Sequence, residues 1–105
     1  MKKSNIFELI PSTLKDELFE KIVSKDGVKI ERIVSFGHTT PQDEWYDQRS
    51  NEWVILLQGE AIISFLNGNE VRLKAGDYIN IPAHKKHRVS WTKPEEESVW
   101  LAVYY

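Results

Sequence analysis

Cysteine is absent from this sequence, and long apolar segments are absent as well. Without cysteine there are no disulfides, no thiolate metal sites and no cysteine nucleophile, so any metal would be held by imidazole, carboxylate, amide or water. Apolar runs such as "WVILL" are far too short to span a bilayer. The first residues include acidic side chains and a proline, which is not the pattern of a signal peptide. These absences predict a soluble, cytoplasmic protein.

The chain also has no large net charge of either sign. Fourteen basic and 16 acidic residues leave a formal net charge of -2. This balance gives no electrostatic reason to expect nucleic acid or an anionic membrane as a partner. No serine has the Gly-x-Ser-x-Gly context of a nucleophile, and no phosphate-binding glycine loop or dinucleotide fingerprint occurs. Covalent catalysis is therefore not predicted.

The length of the chain fits one domain, and most of it has the pattern of short β-strands. Apolar segments rich in Ile, Val and aromatic residues alternate with turn signals such as "NGN" and "KAGD", which indicates a β-sandwich or barrel. The first part of the chain is ambiguous, because its apolar spacing fits one helical face while "LFEKIV" fits a strand equally well. We predict a single domain over residues 1–105, with a helical or extended segment over 1–27 and an all-β barrel over 28–105.

The stretch "GDYINIPAHKKHRVSW" has the spacing of a known sequence block. Gly76 is followed after five residues by Pro82, and His87 comes five positions after the proline. In this spacing the chain resembles the second block of the cupin superfamily, small jelly-roll barrels built as a double-stranded β-helix, in which that histidine is a metal ligand. Two positions differ from the block: His84 stands where a second glycine is usual, and Trp91 stands where an asparagine is usual.

A second stretch resembles the first cupin block, which ends in a ligand glutamate, six residues and a glycine. Glu52, "WVILLQ" and Gly59 have this spacing. The block usually has a His-x-His pair three or four residues before the glutamate, but "WYDQRSN" contains no histidine. Depending on the gap, the pair corresponds to one of two alternatives: Tyr46 with Gln48, or Trp45 with Asp47.

The resemblance implies a divalent metal in the barrel lumen, with Fe, Mn, Ni and Zn as candidates. Glu52 would supply a carboxylate and His87 an imidazole, which leaves open positions where a substrate is activated. Gln48, Asp47 and His84 are the further candidate ligands. Each candidate also has an ordinary alternative, as a lumen carboxylate paired with another side chain, a polar strand residue or a solvated loop residue.

Aromatic residues are plentiful, with four Trp, four Tyr and four Phe. Some of them must line the lumen of a small barrel, and an apolar aromatic pocket suits a small planar or cyclic ligand. Trp91, Tyr46 and Tyr78 are the candidate substrate-pocket residues, the two tyrosines as proton donors. Trp100 lies in the apolar C-terminal run and is expected in the core or a dimer interface, whereas His38 is expected at the surface.

Two classes of function remain open, because the cupin fold hosts both. One is a metal-dependent enzyme that acts on a small molecule. The other is a small-ligand-binding or structural cupin without metal, which the missing His-x-His pair favours. A homodimer is expected in either case, since an open jelly roll leaves strand edges that need cover.

Overall fold

The computed structural model describes all 105 residues and contains eight β-strands and no helix. In chain order the strands are β1 (Leu18–Lys25), β2 (Val28–Phe36), β3 (Glu52–Gln58), β4 (Glu60–Phe65), β5 (Glu70–Lys74), β6 (Tyr78–Ile81), β7 (His87–Thr92) and β8 (Glu97–Tyr104). The all-β prediction is confirmed. No helix is present that is long and apolar enough to cross a membrane.

The turn at Asp26 and Gly27 explains why the N-terminal segment is extended rather than helical. Both residues have positive φ, 49° and 82°, and the flanking Lys25 and Val28 are paired. A two-residue turn with positive φ at both positions is the hairpin turn that matches the twist of antiparallel strands. The turn therefore commits β1 to pairing with β2, so the sheet begins at Leu18, before the expected start of the barrel.

The strands form two antiparallel sheets. The larger sheet has the order β1-β2-β8-β3-β6, and the smaller sheet has the order β5-β4-β7. Strands distant along the chain thus become neighbours, as when β8 pairs with both β2 and β3. This topology brings the beginnings of β3 and β7, which carry the two sequence blocks, towards the same interior.

Alternating side chains fill the space between the sheets. Along β3, Glu52, Val54 and Leu56 are buried while the residues between them are more exposed, as expected for a strand with one inner face. The buried cluster contains residues of both sheets: Ile33, Val54, Leu56, Ala61, Ile63, Phe65, Leu73, Ile81, Trp100 and Ala102. At the beginning of β3 the inner row ends in a carboxylate instead of an apolar group.

Arg32 on β2 binds the segment that precedes β1 and holds it against the larger sheet. Its guanidinium donates to the backbone carbonyls of Ile6 and Glu8, at 2.9 and 2.6 Å, and forms an ion pair with Glu20 on β1. Only 7% of Arg32 is exposed, so these acceptors replace the water that burial removes. The segment before β1 is therefore held against the larger sheet.

Candidate ligand cavity

A cavity lies between the two sheets. Its volume is about 50 Å³, which is room for a few waters or a compact ligand. Nine of its 13 lining residues are hydrophobic. The four polar lining residues are Glu17, Gln48, Glu52 and His87.

Glu52 and His87 meet inside this cavity. Glu52 is the first residue of β3 and His87 is the first of β7, and they are 8% and 4% exposed. The Nε2 atom of His87 lies 3.3 Å from Oε1 of Glu52. The sequence blocks predict that these two residues share one interior, and the structure brings them together.

The hydrogen bonds of His87 determine how the pair holds its proton. The Nδ1 atom lies 2.8 Å from the carbonyl oxygen of Lys85, which can only accept, so Nδ1 carries a proton. In the neutral ring, Nε2 then presents its lone pair to the carboxylate of Glu52. In the charged ring, Nε2 carries a second proton that it can donate to Glu52. Burial lowers the pKa of His87, but the hydrogen bonds to Glu52 and Lys85 and the charge of Glu52 outweigh it, so the pKa is raised. The imidazole therefore holds its second proton more tightly than an ordinary histidine does.

Tyr46 and Gln48 line the same cavity, whereas Asp47 between them does not. Tyr46 forms an isolated antiparallel bridge with His87, in which the backbone N···O distances are 2.8 and 3.2 Å. The centroids of the Tyr46 ring and the imidazole are 5.6 Å apart. This bridge gives the loop before β3 the alternation of a strand. Of the two alternatives from the sequence, the structure favours Tyr46 with Gln48 at the positions of the family's pair.

Asp47 and His84 pair with each other at the surface instead of reaching the cavity. The Nδ1 atom of His84 lies 2.9 Å from Oδ1 of Asp47, and the two side chains are 68% and 43% exposed. The backbone of His84 has a φ of 65°, so it keeps the left-handed conformation that favours glycine, which is the usual residue there in the resemblance. Their predicted role as metal ligands finds no support in this geometry.

Trp91 and Tyr78, the other candidate pocket residues, are not among the residues that line the cavity. The pairing of β4 with β7 shifts by one residue between Val89 and Trp91, and such a bulge turns the next side chain to the other face. Trp91 instead packs beneath the guanidinium of Arg72, 5.2 Å from its ring centroid. Tyr78 is three residues before the cavity-lining Ile81 and so points the opposite way, with 64% of its surface exposed.

Among the cavity residues that the sequence did not predict, Glu17, Trp100 and Tyr104 carry polar atoms. Burial raises the pKa of Tyr104, and the charges of Glu52 and Glu31 add to the effect, so the phenol stays protonated. A signal was present for Trp100 and Tyr104, because alternate residues of a C-terminal strand face one side. No sequence signal placed Glu17 here.

The donors around His87 fall short of a resident transition-metal site. No group of three or more His, Cys, Asp or Glu side chains is placed to hold a metal ion. The cavity lining has the imidazole of His87, the carboxylates of Glu17 and Glu52 and the amide of Gln48, but the imidazole and the two carboxylates do not converge as the three strong protein ligands that catalytic zinc sites usually have. The chemistry considered below therefore uses the side chains themselves.

Comparison with known proteins identifies the fold. A family model described as "Cupin domain" matches residues 33–104. A protein from Ralstonia eutropha JMP134 that carries the provisional name mannose-6-phosphate isomerase is 39% identical, with a TM-score of 0.94 over 99% of this chain and 97% of that chain. A cupin superfamily protein from Desulfitobacterium hafniense DCB-2 is 21% identical, with a TM-score of 0.79 over 99% and 91%.

A more distant similarity is to the structure of FeII HppE. It is 15% identical, with a TM-score of 0.74 over 92% of this chain and 54% of that chain. At such identity the likeness concerns the fold alone, because one fold hosts many functions. No curated protein matches the chain.

Proposed function

Because the chain belongs to the cupin family, we propose that it binds a compact small molecule in the cavity between its two sheets and exchanges a proton with it through Glu52 and His87. The observation that supports this most is the position of the pair. An imidazole and a carboxylate lie 3.3 Å apart inside a largely apolar cavity, which is close enough to pass a proton between them. Pockets for small molecules typically combine apolar walls with a few convergent polar groups.

The pair can act as an acid or as a base. With its proton, Nε2 of His87 donates to Glu52 or to a basic atom of a bound molecule, and after donation the lone pair on Nε2 accepts a proton back. The carbonyl of Lys85 holds the ring in one orientation during both steps. The ring of Tyr46 lies beside the imidazole and limits access of water from that side.

Binding of a small alcohol tests the proposal. When n-propanol is titrated into ¹⁵N-labelled protein at millimolar concentrations, we expect amide shifts at the cavity-lining residues Val54, Ile81 and Val89. The amide of Arg72, whose guanidinium lies over Trp91 outside the cavity, serves as the internal control and should not move. Shifts confined to the outer surface, or no shifts, would contradict a ligand cavity.

A divalent metal held by Glu52 and His87 is the second candidate. It is favoured by the anchoring of Nδ1 on the Lys85 carbonyl, because metal-bound histidines are usually oriented by such a bond from their other nitrogen. Gln48 would add an amide oxygen, and the metal would supply Lewis-acid activation of a bound oxygen.

Elemental analysis separates the two candidates. We expect protein purified without a His-tag or added metal to contain far less than one transition metal per chain. A stoichiometric metal that is lost in folded Glu52→Ala and His87→Ala variants, but kept in Asp47→Ala, would favour the metal site instead.

We also propose that the protein is a homodimer. Strand β1 is an edge of the larger sheet, and Phe19, Ile22 and Val23 on it are 47%, 50% and 47% exposed. An edge strand with exposed apolar side chains is a surface that proteins normally cover. Light scattering coupled to size exclusion should give about twice the chain mass of 12.3 kDa, and Ile22→Lys should shift the protein to monomer. A monomeric wild-type protein would rule this out.

A further inference from the structure

The carboxylate of Glu17 reaches the cavity from the segment just before β1. This residue lies outside the part of the chain that matches the cupin model, residues 33–104. Its Oε2 accepts a hydrogen bond of 2.8 Å from the hydroxyl of Ser35 on β2. Glu17 therefore reaches the cavity from outside the part of the chain that the family model matches.

The segment that carries Glu17 is fixed in place by His38. The Nδ1 atom of His38 accepts from the backbone N–H of Phe36 at 2.8 Å, so in the neutral ring the proton is on Nε2, which donates to the carbonyl of Lys15 at 3.0 Å. Phe19, two residues after Glu17, also lines the cavity. These contacts make the segment a wall of the cavity rather than a loose end.

The charges in the cavity are unbalanced. Its lining has two carboxylates and one imidazole, and contains no lysine or arginine. Glu52 has His87 as its partner, whereas Glu17 forms no ion pair. Burial raises the pKa of Glu17, and the Ser35 hydrogen bond and the nearby His38 offset this only in part. A desolvated carboxylate without a counter-charge gains more from a cationic ligand than from any neutral one.

A second, independent observation indicates a missing ligand atom. Trp100 lines the cavity and is 3% exposed, and its indole N–H has no hydrogen-bond partner. A buried donor without an acceptor is costly and rare in folded proteins. An acceptor atom on a bound molecule would satisfy it.

We propose that the cavity takes a compact protonated amine that also carries an acceptor atom for Trp100, that Glu17 binds the ammonium group, and that phosphorylated or carboxylated molecules are rejected. This inference rests on the proposed function and names its ligand class. The aromatic walls formed by Phe19, Tyr46, Trp100 and Tyr104 suit a cation as well, since ring faces attract positive charge. An anion in the same place would face two carboxylates with only one imidazole to compensate.

Three probes of similar size and different charge test the inference: n-propylamine, n-propanol and propionate. Each is titrated at neutral pH into ¹⁵N-labelled protein, and binding is measured from the cavity amides and the indole N–H of Trp100. We expect n-propylamine to bind at least tenfold tighter than propionate, and inorganic phosphate to leave the cavity resonances unchanged. In Glu17→Gln, which keeps an oxygen acceptor for Ser35 and so preserves the fold, the preference for the amine over n-propanol should disappear.

Asp16→Asn is the matched control, because it removes the same charge from the adjacent, exposed position and should leave the preference intact. If n-propanol binds but the amine shows no advantage, or the advantage survives Glu17→Gln, the inference is wrong and the proposed function stands. If propionate or phosphate binds as tightly as the amine, the inference is also wrong. If no probe reaches the cavity, both the inference and the proposed function are contradicted.

Discussion

Replacing Glu52 with glutamine is expected to lower the pKa of His87 from its raised value in the wild type. Burial alone lowers this pKa, and Glu52 contributes both a hydrogen bond and a negative charge that reverse the effect. Glutamine keeps the size of the side chain but removes the charge, so the effect of burial remains. Titration of the ring resonances by NMR, in protein treated with a chelator, measures the change directly.

The control for this prediction is Asp47→Asn. Asp47 pairs with the other histidine of the region, His84, at the surface, so its loss should leave the pKa of His87 where it is. A pKa of His87 that stays raised in Glu52→Gln would show that the two side chains do not share a proton.

The same substitution should weaken one contribution to the pH dependence of stability. In the wild type the folded-state pKa of His87 is above the ordinary 6.5, so its stabilisation is present below pH 6.5 and is lost as the pH rises through the folded-state value. In Glu52→Gln the folded-state pKa is lower, so the stabilisation that is lost with rising pH should be smaller and its loss should end at a lower pH. Urea unfolding at a series of pH values measures both curves, and identical curves would contradict the shared proton.

Gly59→Ala is expected to have the largest effect on stability, about 4 kcal/mol. Gly59 joins β3 to β4 with a φ of 99°, and a Cβ there would lie 2.5 Å from Oγ and 2.9 Å from Cα of Ser98. The hydroxyl can rotate away, but the backbone Cα cannot, so strand β8 would have to move from its place between β2 and β3. The midpoint of urea unfolding, with the slope checked, gives the loss in stability.

Gly27→Ala provides the comparison. Its φ of 82° also disfavours alanine, but no atom lies within 4 Å of the added Cβ, so only the backbone cost of about 1 kcal/mol applies. Equal losses in the free energy of unfolding for the two variants would mean that Ser98 does not approach Gly59 closely. The close contact would then not be the reason for glycine at position 59.

Much of the fold could be predicted from the sequence because turn chemistry is local. The "NGN" turn and the Gln58-Gly59 junction mark strand ends whatever the rest of the chain does. The N-terminal segment was ambiguous for a different reason. The Asp26-Gly27 turn fixes its conformation only together with β2, and that pairing is a property of the whole sheet.

The candidate site could be predicted in part. Glu52 and His87 were predicted from the resemblance of their two sequence blocks to those of the cupin superfamily. The choice of Gln48 over Asp47 depends on the bridge between Tyr46 and His87, a long-range contact that loop sequence does not encode. The outward turn of Trp91 depends on a one-residue bulge, which strict alternation cannot anticipate.

A high-resolution crystal structure of the protein grown with n-propanol tests the central claim most directly. The account predicts the alcohol inside the cavity between the sheets, with its oxygen within hydrogen-bond reach of Glu52 or His87 and no metal bound to either residue. Electron density for an ion coordinated by both side chains, or an alcohol bound only outside the cavity, would contradict it.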